Sequence, residues 1–186
     1  MNLARVIDDE VVLAVTYCPA TDELFYATKG GRAFVSQRVW QIDGSEVSPV
    51  DLEQELTHKL ERIVKVEQLH VSSQTVHRES LINIGLDLIR RCSRPDVEEE
   101  VIRGTKSHWT AGSTASITAR LAQGKVDQAV HMEQSIWDIA VGKLLVEEAG
   151  GLFRRWENEP LDFTGARANN VYISNGNLPQ DWSFLK

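Results

Sequence analysis

Residues 135–151, Ser135-Ile136-Trp137-Asp138-Ile139-Ala140-Val141-Gly142-Lys143-Leu144-Leu145-Val146-Glu147-Glu148-Ala149-Gly150-Gly151, are the most informative stretch of the 186-residue chain. Ser135 stands where an N-cap belongs, aliphatic side chains follow, and a glycine pair closes the run. This predicts a helix from Ile136 to about Ala149. Asp138 falls in its first turn, where unpaired backbone N–H groups and the helix dipole favour a carboxylate. Capping is a sufficient local reason for an aspartate there, and a carboxylate oxygen is also a donor that a hard cation accepts. The residues alone leave both readings open.

Working outward, Gly112-Ser113-Thr114-Ala115 opens an apolar-periodic segment that predicts a second helix, from Ser113 to about Ala122, with Gly124 as its stop. Gly-Ser-Thr before a helix reads as an N-cap, and N–H groups exposed at such a start also bind polar or anionic ligands. A strand is expected from Val126 to Met132, with His131 near its end and Glu133 two residues on. His131 reads either as a partly buried strand-end histidine or as a hydrogen-bonding group facing a ligand. Further strands are expected around Leu152 to Trp156 and Val171 to Ser174.

Toward the amino terminus, Val11 to Tyr17, Glu23 to Thr28 and Ala33-Phe34-Val35 read as an antiparallel meander, with a tight turn at Gly30-Gly31. Ile42 to Gln68 is more polar, with an Asp43-Gly44 turn and a Glu/Lys-rich stretch suited to a short surface helix. Leu69 to Ser72 reads as a short strand. Ser80 reads as the N-cap of a helix carrying Leu81, Ile82, Ile84, Leu86, Leu88 and Ile89, ended by Arg94-Pro95, and Val101 to Gly104 as a strand. The expectation is an α/β fold of the α+β sandwich type, with a strand meander followed by alternating helices and strands and a sheet covered by helices. One domain is expected over 1–186: the meander at 1–40, a polar excursion at 41–68 and the alternating part at 69–186.

Trp137-Asp138-Ile139-Ala140, the aliphatic helix after it and Glu148-Ala149-Gly150-Gly151 together resemble the carboxyl-terminal signature of the inositol monophosphatase family. The resemblance implies that Asp138 coordinates a catalytic Mg²⁺. Gly112, Ser113 and Thr114 are similar to the family's Gly-Ser/Thr-Ala-Ala helix start, which implies contact with substrate hydroxyls. His131 sits where many inositol phosphatases place a glutamate that contacts a substrate hydroxyl, with Glu133 as an alternative occupant of that role. Glu10 to Pro19, Asp22 to Ala27 and Gly30 to Phe34 are similar to the strands that follow the family's catalytic aspartate motif. The activity implied is Mg²⁺-dependent hydrolysis of a small phosphate monoester, such as an inositol phosphate, a fructose bisphosphate or a nucleotide bisphosphate.

Two motifs of that family do not occur in this sequence: the Gly-Glu-Glu-type segment and Asp-Pro-Ile-Asp-Gly-Thr, which supply its other metal-binding carboxylates. The acidic cluster Asp8-Asp9-Glu10 lacks their Pro and Gly-Thr context and reads as a solvated turn. Metal-assisted phosphate hydrolysis needs cations held by several ligands. The expectation is therefore a carboxyl-terminal half, a truncated or split phosphatase inactive by itself. The alternative is a non-catalytic binding or assembly module that keeps the half-fold. Either leaves a sheet edge and apolar surface uncovered, which implies a homo-oligomer or a partner chain on that edge.

Composition narrows the classes further. Hydrophobic residues make up 42% and charged residues 25%, an ordinary globular balance that excludes disorder and fibrous architecture. A formal net charge of -7 argues against a nucleic-acid partner. Arg90, Arg91 and Arg94 read as the basic end of a helix. Cys18 and Cys92 lack CxxC spacing, so no disulfide framework or zinc motif is expected, in keeping with a reducing compartment. The start of the chain carries no secretory pattern and no stretch reaches membrane-spanning length, so the expected location is cytoplasmic.

Overall fold

The structure, a computed structural model, describes residues 1–37, 65–91, 95–156, 161, 163 and 169–185. Alternation of buried and open side chains builds a first sheet from β1 Asn2–Ile7, β2 Glu10–Cys18, β3 Glu23–Thr28, β4 Ala33–Gln37 and β5 Lys65–Gln68, paired antiparallel in that order. In β3, for example, Glu23, Phe25 and Ala27 are buried while Leu24 and Tyr26 are half-buried, the period of two that a covered face imposes. Asp8 and Asp9, both at positive φ (49° and 60°), make the two-residue turn between β1 and β2. That is the backbone hairpins favour and short acidic side chains tolerate.

The second sheet contains β6 Leu81–Ile84, β7 Ser107–Trp109, β8 Gln128–Gln134, β9 Leu152–Arg155 and β10 Asn169–Ser174, in the order β7-β6-β8-β10-β9. β6 runs parallel to β7 and β8, whereas β10 is antiparallel to both β8 and β9. The helices are α1 Leu86–Arg91, α2 Pro95–Gly104, α3 Thr114–Ala122 and α4 Ile136–Glu148.

α3 and α4 lie between the sheets. Ala119, Ala122, Ala140, Val141, Leu144 and Leu145 pack on Val11, Ala14, Phe25 and Val35 of the first sheet. Ile117, Leu121, Ile139 and Val146 pack on Ala129, Phe153, Val171 and Ile173 of the second. A helix sandwiched this way is apolar around most of its circumference, as α4 is. Its axis comes so close to α3 that a Cβ at Gly142 would stand 2.7 Å from Thr118 Cγ2. On the far face of the second sheet, Ile82, Ile84, Val130 and Tyr172 meet Leu88, Val97 and Val101 together with Trp156, Trp182 and Phe184. No helix among the described residues is long and apolar enough to cross a membrane.

Four local expectations are corrected. Leu81–Ile84 is a strand, and the helix begins only at Leu86, after Gly85. Ile82, Asn83 and Ile84 are all buried, so the burial that distinguishes a strand from a helix by its period is absent here. Ser80 caps nothing: its hydroxyl donates to the His77 carbonyl at 2.7 Å and accepts from Gln128 Nε2 at 2.6 Å. Val101–Gly104 is helical, because Pro95 opens α2 and places Val97 and Val101 one turn apart on its buried side. Leu69–Ser72 is not a strand, and the pairing falls instead on Lys65–Gln68, so the polar excursion ends in a sheet strand. The helix and the Asp43-Gly44 turn expected earlier in that excursion lie outside the described residues.

Candidate functional site

Four element ends converge on one cavity of about 450 Å³: the start of α1 at Leu86 and Asp87, the start of α3, the end of β8 and the first turn of α4. Ser113 is the N-cap of α3, its hydroxyl accepting the Ser116 N–H at 3.3 Å. Gly112 and Ser113 are exposed at the rim, while Thr114, the first helical residue, is buried. A Cβ at Gly112 would meet only Leu86 Cδ1, at 3.6 Å, so packing does not require glycine there.

The end of β8 is distorted in a way that sets the cavity floor. Gln134 pairs with Asn169 and His131 with Val171, so Met132 and Glu133 together oppose Asn170 alone. This is a β-bulge, with Glu133 at a φ of 54° and its N–H donating to Asn170 Oδ1 at 3.0 Å. In a regular strand His131 and Glu133 would share a face. The extra residue instead leaves Glu133 exposed at the rim and turns Gln134 inward beside His131. His131 is 2% exposed and Gln134 8%. His131 Nε2 lies 2.9 Å from Asn83 Oδ1, and its Nδ1 lies 3.1 Å from the Thr114 hydroxyl, which also donates to Gln134 Oε1. Burial pushes the His131 ring down to about 4, with Asp87 acting in the opposite sense. The ring is therefore neutral at physiological pH. Gly85 makes room for it, since a Cβ there would stand 3.2 Å from His131 Cγ and Nδ1.

Asp138 lines the other wall. Its N–H donates to the Ser135 carbonyl at 3.1 Å, and the Ser135 side chain makes no cap hydrogen bond, so the hydroxyl cap expected of Ser135 is not formed. Burial holds the Asp138 carboxyl above the ordinary aspartate range. Asp138 and Ser113 also line a second cavity of about 320 Å³ that extends past Thr16, Tyr17 and Cys18 to Arg120. Arg120 is committed there to Glu23, with Nη2–Oε2 at 2.6 Å and Nη1–Oε1 at 3.2 Å. Among the described residues, no group of three or more His, Cys, Asp or Glu side chains is placed to hold a metal ion.

The residues singled out in the sequence, Gly112, Ser113, Thr114, His131 and Asp138, thus border one cavity, with Glu133 on its rim. Asn83, Gly85 and Gln134 were not singled out. Gly85 after an apolar run was a usable signal, but a bulge leaves no mark in the pattern that would have pointed to Gln134.

The model of the inositol monophosphatase family matches residues 1–182. An inositol monophosphatase of Dictyostelium discoideum is 30% identical over 152 residues, covering 82% of this chain and 47% of that protein. A fructose-1,6-bisphosphatase/inositol-1-monophosphatase of Thermotoga maritima is 28% identical over 180 residues, covering 95% of this chain and 55% of that protein. The chain spans about half the length of the curated relatives it matches. Among solved structures, the IMPase of Thermotoga maritima superposes with a TM-score of 0.67 at 26% identity, over 95% of this chain and 56% of that one. Inositol monophosphatase-II from Staphylococcus aureus shares the fold, with a TM-score of 0.74 at 19% identity over 99% of this chain and 58% of that one.

Proposed function

The chain belongs to the inositol monophosphatase family, and on that footing we propose that its cavity is the substrate-holding part of a phosphomonoesterase site. The substrates proposed are small phosphate monoesters: an inositol phosphate, a fructose bisphosphate or a nucleotide bisphosphate. The observation that carries this reading is the convergence of Ser113 and Thr114, His131 and Gln134, and Asp138 on one cavity from three separate elements. Relatives named as inositol and fructose-bisphosphate phosphatases support the first two substrate classes.

Mg²⁺ is the cation the family resemblance implies, with Asp138 as its ligand. The described residues do not fit it by themselves, since no three candidate ligands stand together. Hydrolysis on this reading requires carboxylates beyond those described, and the chain alone releases no phosphate. Isothermal titration with inositol 1-phosphate in the presence of Mg²⁺ tests the reading: measurable binding, weakened in Asp138→Asn, supports it. Absence of binding by the unaltered chain overturns it.

Association with a second polypeptide belongs to the same proposal. Among the described residues β1 forms one border of the first sheet, and Met1, Leu3, Val6 and Ile7 are exposed along it, at 83%, 54%, 37% and 42%. An exposed apolar border strand is a template for pairing, so we take the chain to form a homo-oligomer or to bind a partner chain there. A cytoplasmic location accords with the free thiol of Cys18.

A further inference from the structure

Two backbone carbonyls fix the direction of a buried side-chain network across the cavity floor. The Trp109 carbonyl accepts from Asn83 Nδ2 at 3.2 Å, which turns Asn83 Oδ1 toward His131 Nε2. An amide oxygen can only accept, so Nε2 carries the ring proton. At the other end the Met132 carbonyl accepts from Gln134 Nε2 at 2.5 Å, which turns Gln134 Oε1 toward the Thr114 hydroxyl. With the ring neutral, Nδ1 is bare, and it faces the same hydroxyl at 3.1 Å. The Thr114 hydroxyl therefore has a single proton and two acceptors that require it. The network is one donor short, and a buried acceptor left unfilled costs free energy.

We propose that Gln134 is a specificity-determining residue: a ligand hydroxyl, or another O–H or N–H donor, binds its Oε1 while Thr114 turns its proton to His131 Nδ1. This rests on the reading of the cavity as a substrate site. Gln134 is the more open of the competing acceptors, at 8% exposure against 2% for His131, so the donor from outside reaches it first. The imidazole nitrogen is the stronger base and retains the Thr114 proton. The β-bulge at Met132 and Glu133 is what brings Gln134 to the floor. Only hydrogen bonds change: the ligand supplies the fifth donor to a network that holds four, one each from Asn83, His131, Thr114 and Gln134.

The test compares two probes in the presence of Mg²⁺, inositol 1-phosphate and methyl phosphate, the second lacking any carbon-bound hydroxyl. Gln134→Leu is expected to weaken inositol 1-phosphate roughly tenfold, the worth of one hydrogen bond, and to leave methyl phosphate unchanged. Thr114→Ser, which keeps the hydroxyl, retains the unaltered chain's preference between the probes, and Thr114→Val reduces it. Nitrogen NMR of the unaltered chain supplies the direct readout. The His131 Nδ1 resonance moves to a hydrogen-bonded position with inositol 1-phosphate and stays in place with methyl phosphate. Equal loss of both probes in Gln134→Leu, or an Nδ1 signal indifferent to inositol 1-phosphate, overturns this inference and leaves the substrate-site reading standing. Failure of the unaltered chain to bind either probe overturns both.

Discussion

The carboxylate of Glu148, at the end of α4, accepts the backbone N–H of Arg32 at 2.8 Å with one oxygen and that of Gly30 at 2.6 Å with the other. The turn between β3 and β4 thereby closes onto the helix that carries Asp138 in its first turn, ten residues earlier. Gly30 and Arg32 both stand at positive φ, 71° and 68°. The strained arginine position is thus held by a hydrogen bond from outside the turn. Glu148→Ala is expected to cost roughly 1–3 kcal/mol by chemical denaturation, the worth of a doubly bonded carboxylate. Glu148→Gln, keeping one acceptor oxygen, should lose less. An unchanged denaturation midpoint in Glu148→Ala would contradict this role.

His131 ties stability to pH with a definite sign. Its folded value is about 4, below the ordinary histidine value of 6.5, so folding favours the neutral ring. The stability from this preference is complete above pH 6.5 and is lost as pH falls through that range toward 4. The full loss is on the order of 3 kcal/mol. Urea denaturation of the unaltered chain and of His131→Asn across this window should show the difference between them shrinking in acid. A constant difference would mean that the ring is not held neutral.

Asp138 carries the opposite sign. Burial raises its folded value, so its ionised form costs stability above that value, and the cost is relieved as pH falls. Asp138→Asn is expected to raise stability at neutral pH by roughly a few tenths of a kcal/mol, since much of the carboxyl meets solvent that screens it. A group kept for helix capping would show a loss instead. A drop of about 1 kcal/mol would mark Asp138 as a structural cap.

The border strand gives a prediction about assembly. If β1 pairs with a second polypeptide, lysines at Leu3 and Ile7 should abolish the association and leave the fold intact. Sedimentation velocity checks this. A well-behaved monomer of the unaltered chain at high concentration contradicts the premise.

Much of this was legible in the sequence for identifiable reasons. The meander could be read because β2 and β3 have one covered face and hence a clear alternation. α3 and α4 could be read because a serine at the N-cap position and closing glycines are local signals, although only Ser113 makes the side-chain cap bond. Gly150 and Gly151 meet two different demands: the first adopts a φ of 92°, and a Cβ on the second would stand 2.7 Å from the Ser174 carbonyl oxygen. Leu81–Ile84 and Val101–Gly104 were misread where burial on both faces, or a proline opening a helix, removed the cue. At the site, the border residues were legible as helix starts and a strand end. Gln134 was not, because a single inserted residue in β8 exchanges which side chain faces the cavity. Glu148 was legible as part of a motif, but its bonds to Gly30 and Arg32 depend on a contact 118 residues away in sequence for Gly30.

The central proposal is that Asp138 and the cavity it borders hold a small phosphate monoester, with carboxylates beyond the described residues completing the site. The most direct measurement is Mg²⁺-dependent phosphate release from inositol 1-phosphate by the chain alone and by the chain mixed with a polypeptide bearing an Asp-Pro-Ile-Asp-Gly-Thr segment. The expected result is no release by the chain alone, release by the mixture, and loss of that release in Asp138→Asn. Release by the chain alone, or release by the mixture that is unaffected by Asp138→Asn, would contradict the claim.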